Sequence, residues 1–71
     1  MKRAICPGSF DPVTRGHVDI IKRASAMFDY VIVAVMVNPN KKPSFTIEER
    51  IKLLGLAISE LDNVEIVSFD G

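Results

Sequence analysis

The amino-acid sequence predicts an α/β fold, namely half of a doubly wound fold with three parallel strands in the order 3-2-1. One observation is the apolar run 30–37, which is rich in β-branched residues and does not alternate with polar ones. Such a run is typical of a strand that is covered on both faces in a parallel sheet. The other is that two amphipathic helical segments separate three short apolar segments. The order β-α-β-α-β implies parallel strands with right-handed crossovers.

The first strand and the first helix are predicted in the N-terminal part of the chain. Residues 3–7 form the strand, and Thr14 is the predicted N-cap of a helix of about 14 residues that ends near 28–29. The apolar face of this helix is formed by residues at helical spacing, namely Ile20, Ile21, Ala24, Met27 and Phe28.

The second helix and the third strand follow a loop that carries two prolines, two asparagines and two lysines. Thr46 and Glu49 have the spacing of a capping box, in which each side chain bonds the other's backbone amide. Residues 62–63 break the helix, and residues 64–69 form the third strand. The apolar positions of the helix are Ile47, Ile51, Leu54, Ile58 and Leu61.

The composition is that of a globular domain without a general affinity for nucleic acids or membranes. Nine basic residues balance nine acidic ones, the hydrophobic fraction is 48%, and the mean hydropathy is +0.22. No apolar stretch is long enough to span a bilayer, and the N-terminus does not have the form of a signal peptide. The single cysteine, Cys6, excludes an internal disulfide. We therefore expect a protein of the cytoplasm.

The element order also predicts that residues 1–71 form the N-terminal part of one domain whose C-terminal half is absent. In a doubly wound sheet the second half begins on the other side of strand 1, whereas this sequence ends just after strand 3. The uncovered edge of strand 1 leads us to expect self-association, exchange of elements between copies, or poor stability.

The segment 7–17 carries the strongest functional signal. It leads from the first strand into the first helix and contains Gly8, Ser9, Gly16 and His17, the only histidine of the chain. Backbone amides at a helix N-terminus are unpaired and carry a partial positive charge. The turn is therefore a candidate phosphate site.

Lys41 and Lys42 follow the second strand, and the carboxyl ends of parallel strands share one edge of a sheet. Hydroxyl, imidazole and ammonium groups are therefore expected to converge there, an inventory that suits polyphosphate chemistry. It suits hydrolysis badly, because the sequence has no second histidine, no carboxylate pair at defined spacing and no nucleophile-elbow serine.

Each candidate residue also has an ordinary structural interpretation. Gly8 and Gly16 serve a tight turn in either case. Considered by itself, Ser9 is best interpreted as a turn or cap residue, and His17 as a solvent-exposed residue of the helix. The lysine pair 41–42 alone reads as a solubilising loop segment. Their joint spacing favours the functional interpretation.

Two motifs in this chain resemble those of a known superfamily. The segment 8–12 (GSFDP) followed by 14–17 (TRGH) is similar to the signature of the nucleotidyltransferases, whose second element is (His/Thr)-x-Gly-His. The threonine at position 14 and the segment 41–50 (KKPSFTIEER) resemble more narrowly the bacterial phosphopantetheine adenylyltransferase family. The similarity extends over the whole chain.

The resemblance implies transfer of an adenylyl group from ATP to 4′-phosphopantetheine with Mg²⁺, giving dephospho-coenzyme A and pyrophosphate. It implies that His17 binds the phosphates and stabilises the transition state at the α-phosphorus. Ser9 would contact both substrates, and the Phe10 amide would contact ATP. Lys41 would bind phosphopantetheine, with Lys42 as the alternate. The resemblance also implies coenzyme A as a product-like ligand.

The family's enzymes are about twice as long and typically form hexamers, so the resemblance implies a homo-oligomer. It also implies that 71 residues alone have no meaningful activity. Two other interpretations stay open. One is a neighbouring enzyme of the superfamily, such as a nicotinate- or nicotinamide-mononucleotide adenylyltransferase or a cytidylyltransferase. The other is a non-catalytic nucleotide-binding or assembly module.

Overall fold

The computed structural model describes residues 1–37 and 45–70. Its three strands are parallel and lie in the order β1-β2-β3, which confirms the predicted α/β class and the 3-2-1 order. In the described ranges neither helix is long and apolar enough to cross a membrane. The elements are β1 (Arg3–Gly8), α1 (Arg15–Met27), β2 (Tyr30–Val37), α2 (Ile47–Ala57) and β3 (Val64–Asp70).

The core lies between one face of the sheet and the two helices. The register places Cys6 beside Val33 and Val33 beside Ile66, so these three residues share a face. Ile21 of α1 and Leu54 of α2 pack against that face. The buried cluster consists of Phe10, Ile21, Val31, Val33, Val35, Leu54 and Ile58.

The prediction that β2 is covered on both faces is wrong for the part of the chain that the structure describes. Both helices lie on the face of Val33, as expected when successive right-handed crossovers step across a sheet in one direction. The opposite face forms an apolar groove of about 370 Å³. We call it the open sheet face. It is lined by Ile5, Pro7, Ile32, Ala34, Met36, Val67 and Phe69.

The buried face of α1 differs from the predicted one at two positions. Ile20 and Met27 are 60% and 74% exposed. The helix and its cap reach the core through Ile21, Ala24 and Phe28, as predicted, and in addition through Val18. Residues 20 and 27 each precede a core residue, and a step of one residue turns the helix by about 100°.

The second helix is shorter than predicted, because it ends at Ala57 and not at Leu61. The cap residue Ile58 has φ −118° and ψ 23°, and its amide still donates to the Leu54 carbonyl at 3.1 Å. The Leu61 amide then donates to the Ile58 carbonyl at 3.0 Å, which closes a tighter turn. Leu61 packs against the core from this turn and thereby keeps the apolar spacing of the helix.

Candidate functional site

The turn between β1 and α1 is built around the ring of Phe10. This residue is 2% exposed and has φ 49°, in the left-handed region. Its ring lies over Gly8, where an added Cβ would come within 3.0 Å of it. Gly8 does not have a positive φ, so close approach and not backbone conformation requires a glycine there. In the same turn, the Asp11–Pro12 peptide bond is cis.

The imidazole of His17 is held by the cap of α1. The Thr14 amide donates to Nδ1 of His17 at 3.1 Å, while Oγ1 of Thr14 accepts from the His17 amide at 3.3 Å. The ring also contacts Phe10 edge-on, with 4.8 Å between centroids. Because Nδ1 accepts a hydrogen bond, the neutral imidazole carries its proton on Nε2. Nε2–H is therefore left as a donor at the turn.

The capping box of α2 gives an internal comparison for this arrangement. There the Thr46 amide donates to Oε1 of Glu49 at 3.0 Å, and the Glu49 amide donates to Oγ1 of Thr46 at 3.1 Å, as predicted. The hydrogen bond from the Thr46 amide lowers the pKa of Glu49 below its ordinary value. A carboxylate suits this position because it also opposes the positive end of the helix dipole. Capping alone therefore does not account for an imidazole at position 17.

Backbone and hydroxyl donors surround the same turn. Ser9 is exposed, and within the described ranges neither its hydroxyl nor the amides of Ser9 and Phe10 donate to another group. Together with Nε2–H of His17, the Ser9 hydroxyl and the two amides form a set of hydrogen-bond donors that have no acceptor among the described residues. Such a set is suited to an anion with several oxygens.

Two contacts join the turn to α2 and the residues before it. The guanidinium of Arg50, which is 5% exposed, donates from Nη1 to the Ser9 carbonyl at 3.0 Å. Oδ1 of Asp11 accepts from the Phe45 amide at 2.8 Å. Sequence reasoning missed both contacts. A signal for the first was present, because Arg50 lies at apolar spacing from Ile47 and Leu54.

A small apolar groove of about 230 Å³ borders the imidazole on the side of β1. Its wall includes Cys6, Phe10, His17 and Ile20. Burial raises the pKa of the Cys6 thiol, so the thiol group is expected to react slowly with alkylating reagents at neutral pH. An apolar surface therefore lies next to the hydrogen-bond donors of the turn.

The structure brings five of the predicted site residues into one turn, and two lie outside the described residues. Lys41 and Lys42 are these two, so their place in the site stays a prediction. The five are Gly8, Ser9, Phe10, Gly16 and His17.

The donor set of the turn does not form a metal site. In the ranges 1–37 and 45–70, histidine, cysteine and carboxylate side chains nowhere form a group of three that could hold an ion. Three or more such ligands are usual for a metal ion that a protein binds by itself.

Comparison with known proteins places residues 5–71 under one family model, described as cytidylyltransferase-like. The chain is 61% identical to phosphopantetheine adenylyltransferase of Clostridium novyi (strain NT) over 71 residues, which are 100% of this chain and 44% of that protein. It is 54% identical to phosphopantetheine adenylyltransferase of Heliobacterium modesticaldum (strain ATCC 51547 / Ice1), covering 100% of this chain and 42% of that protein. The chain thus spans less than half the length of these relatives.

A solved structure shares the fold. The crystal structure of NadR protein in complex with NR superposes with a TM-score of 0.82 over 96% of this chain and 19% of that chain, at 22% sequence identity. At this identity the likeness concerns the fold alone. The predicted resemblance to phosphopantetheine adenylyltransferases is confirmed by the relatives at 54% and 61% identity.

Proposed function

Because this chain belongs to the cytidylyltransferase-like family, we propose that it is part of an adenylyltransferase acting on ATP and 4′-phosphopantetheine. In this reaction a phosphate oxygen of phosphopantetheine attacks the α-phosphorus of ATP, the bond to pyrophosphate breaks, and dephospho-coenzyme A is released. The observation that carries the proposal is the capped imidazole of His17, whose Nε2–H remains a donor beside amides that have no hydrogen-bond partner among the described residues. The names of the two relatives support the choice of substrates.

Each residue of the turn has a role that follows from its donors. Nε2–H of His17 binds an oxygen on the α-phosphorus, where negative charge grows in the transition state. The Ser9 hydroxyl and amide bind phosphate oxygens of both substrates, and the Phe10 amide binds ATP. Gly16 leaves room for the ligand close to the backbone, whereas Gly8 leaves room for the Phe10 ring that shapes the turn. None of these groups needs to form a covalent bond, so catalysis consists of positioning and charge stabilisation.

The phosphopantetheine side of the site is assigned to Lys41, with Lys42 as the alternate. An ammonium group on a long side chain is a mobile counter-charge for a phosphate. Magnesium enters with ATP as part of the substrate. The reaction is placed in the cytoplasm, with which the single, half-buried Cys6 agrees.

Turnover is proposed to require polypeptide beyond these 71 residues, of which this chain would be the N-terminal part. The basis is that the relatives are more than twice as long as the matched region. The chain alone is expected to bind substrate without forming measurable dephospho-coenzyme A.

Calorimetric titration of the chain with ATP, 4′-phosphopantetheine and coenzyme A tests the proposal. We expect binding of all three ligands and no binding of cytidine triphosphate at the same concentration. Preference for the cytidine nucleotide would favour a cytidylyltransferase. Absence of binding by every ligand would favour a non-catalytic assembly module and contradict the proposal.

Replacing Gly16 with alanine is expected to raise stability and lower ATP affinity. A Cβ at this position meets only Oγ1 of Thr14, at 3.7 Å, so the helix gains up to about 0.5–1 kcal/mol. The same methyl group occupies space above the first turn, where the phosphates are placed, and the affinity should fall about tenfold.

The matched control is Gly55→Ala in α2, where the Cβ lies an ordinary 3.9 Å from Ile66 and far from the turn in sequence. Thermal unfolding and ATP titration of both variants are compared. Undiminished ATP affinity in Gly16→Ala would place the phosphates elsewhere.

Copies of the chain are proposed to associate through the open sheet face. Ile5 and Phe69 of this face are 67% and 58% exposed, although apolar side chains gain by leaving water. The mass measured by light scattering should rise with concentration, and Phe69→Lys should suppress the rise. Met27→Lys is the control, since Met27 is 74% exposed but lies on α1, away from this face. A monomer at every concentration would contradict the proposal.

A further inference from the structure

Arg50 is a buried cation whose side chain ends under the candidate site. It is 5% exposed and lies in the first turns of α2. Its Nη1 donates to the Ser9 carbonyl at 3.0 Å and to the Met36 carbonyl, at the end of β2, at 3.5 Å. Its Nε is buried and has no hydrogen-bond partner among the residues that the structure describes.

Stability alone does not account for this side chain. A buried charge with an unmatched donor costs free energy, and well-packed apolar residues often replace buried charges without loss. The Asp11 carboxylate, which accepts from the Phe45 amide at 2.8 Å, already ties the turn to the start of α2. The hydrogen bond from Arg50 to Ser9 is a second link between the same two parts of the chain, and it buries a guanidinium. We therefore expect Arg50 to have a role other than stability.

The geometry of the peptide unit supplies that role. The Ser9 carbonyl and the Phe10 amide belong to the same peptide group, and this group is trans, since the cis bond of the turn is Asp11–Pro12. In a planar trans peptide C=O and N–H point in opposite directions. A donor that holds the carbonyl on the core side consequently directs the amide away from the core. A cationic donor also polarises the peptide group and strengthens its N–H as a donor.

The other side of this peptide group is held as well. The Phe10 ring is 2% exposed and rests on Gly8, and the residue has φ 49°. The guanidinium thus holds the carbonyl of the Ser9–Phe10 peptide group, and the buried ring holds the residue that carries its N–H. This N–H faces the proposed phosphates.

We propose that Arg50 is a positioning residue for nucleotide binding, which holds the Ser9 carbonyl so that the Phe10 N–H points at the phosphates of ATP. The assignment of ATP to this amide rests on the proposed function. The orientation of the amide does not, and it is measurable without any ligand.

Two substitutions at position 50 and two controls test the proposal in the full chain. Arg50→Met keeps much of the apolar stem but removes the donor, and Arg50→Lys keeps the charge and one donor group. Arg23→Met is the control, because the Arg23 side chain is 76% exposed and pairs at 3.1 Å with Asp19 on the surface of α1. Ile58→Val adds a control for a small loss of core packing at a residue that is 4% exposed.

The orientation of the Phe10 N–H is read from its residual dipolar coupling in weakly aligned, ¹⁵N-labelled protein. ATP affinity is read by calorimetry at a temperature where thermal unfolding shows each variant to be folded. We expect Arg50→Met to change the Phe10 coupling and to weaken ATP binding about tenfold. Arg50→Lys should restore part of both, and the two controls should change neither.

An unchanged Phe10 coupling in Arg50→Met overturns the proposal, whatever happens to stability. A changed coupling with unchanged ATP affinity also overturns it, because the orientation would then not serve the nucleotide. If the unsubstituted chain binds no ATP, the proposed function fails, and the orienting role is then decided by the coupling alone. If Arg50→Met does not fold, the test uses Arg50→Lys. The proposal then requires that this variant both changes the Phe10 coupling and weakens ATP binding, and it fails if only one of the two changes.

Discussion

Replacing His17 with glutamine is expected to abolish most adenylyl transfer while leaving the fold intact. Glutamine three residues after a threonine N-cap completes a capping box, as Glu49 does after Thr46 in α2. The free energy of unfolding should therefore change by less than about 0.5 kcal/mol. The Nε2–H donor beside Phe10 is lost, however, and the loss of one oriented donor at a transition state costs about 10²–10³-fold in rate.

The measurement needs a catalytically complete chain, so residues 1–71 are joined to the part of the Clostridium novyi relative that lies outside the match. Formation of dephospho-coenzyme A is followed with and without the substitution. Glu49→His is the matched control, because it builds the same threonine–histidine cap on α2, where the hydrogen bonds of residue 49 within the described ranges go to Thr46 and not to the turn. It should reduce stability slightly and leave the rate unchanged. Full activity of His17→Gln, with Glu49→His equally active, would reduce His17 to a capping residue.

Replacing Leu54 with alanine is expected to remove a large part of the folding stability. Leu54 is 0% exposed and lies in the core between α2 and the sheet. Leucine-to-alanine substitutions at such positions cost about 3–5 kcal/mol, through lost burial and the cavity left behind. A chain of 71 residues has only about 4–10 kcal/mol of stability in total. The variant should therefore unfold at a much lower urea concentration than the unsubstituted chain.

Leu56→Ala provides a control of the same chemistry on the same helix, since Leu56 is 66% exposed. It should shift the free energy of unfolding by less than about 0.5 kcal/mol. Urea unfolding followed by circular dichroism measures both variants. Equal midpoints for the two would contradict the placement of Leu54 in the core.

The first turn of α1 shows how far sequence reasoning reached in the candidate site. The N-cap Thr14 and the clustering of Ser9, Phe10 and His17 followed from residue types at short range, because caps and turns are local structures. The use of the imidazole as the cap partner was not foreseen, since glutamate or glutamine is the usual residue there. Which nitrogen of His17 is left as a donor depends on that contact and was decided only by the structure.

The buried faces and the ends of the helices also show which features the sequence predicted and which only the structure decided. Periodicity located both helices, but adjacent apolar residues such as Ile20 and Ile21 compete for the buried stripe, and the position of the sheet decided between them. Leu61 kept the apolar spacing of α2 from outside the helix. A hydrophobic pattern specifies which side chains are buried more strongly than the backbone conformation that buries them.

The order of strands and helices along the chain, the N-cap Thr14, the capping box of α2 and the location of the candidate turn were determined by the sequence alone, because each depends on residues close together along the chain. Burial of Arg50 against the Ser9 carbonyl and the one-sided covering of the sheet were decided by the tertiary structure. The Arg50 contact joins residues 41 positions apart. Contacts of that separation depend on how whole elements pack, which local residue patterns do not encode.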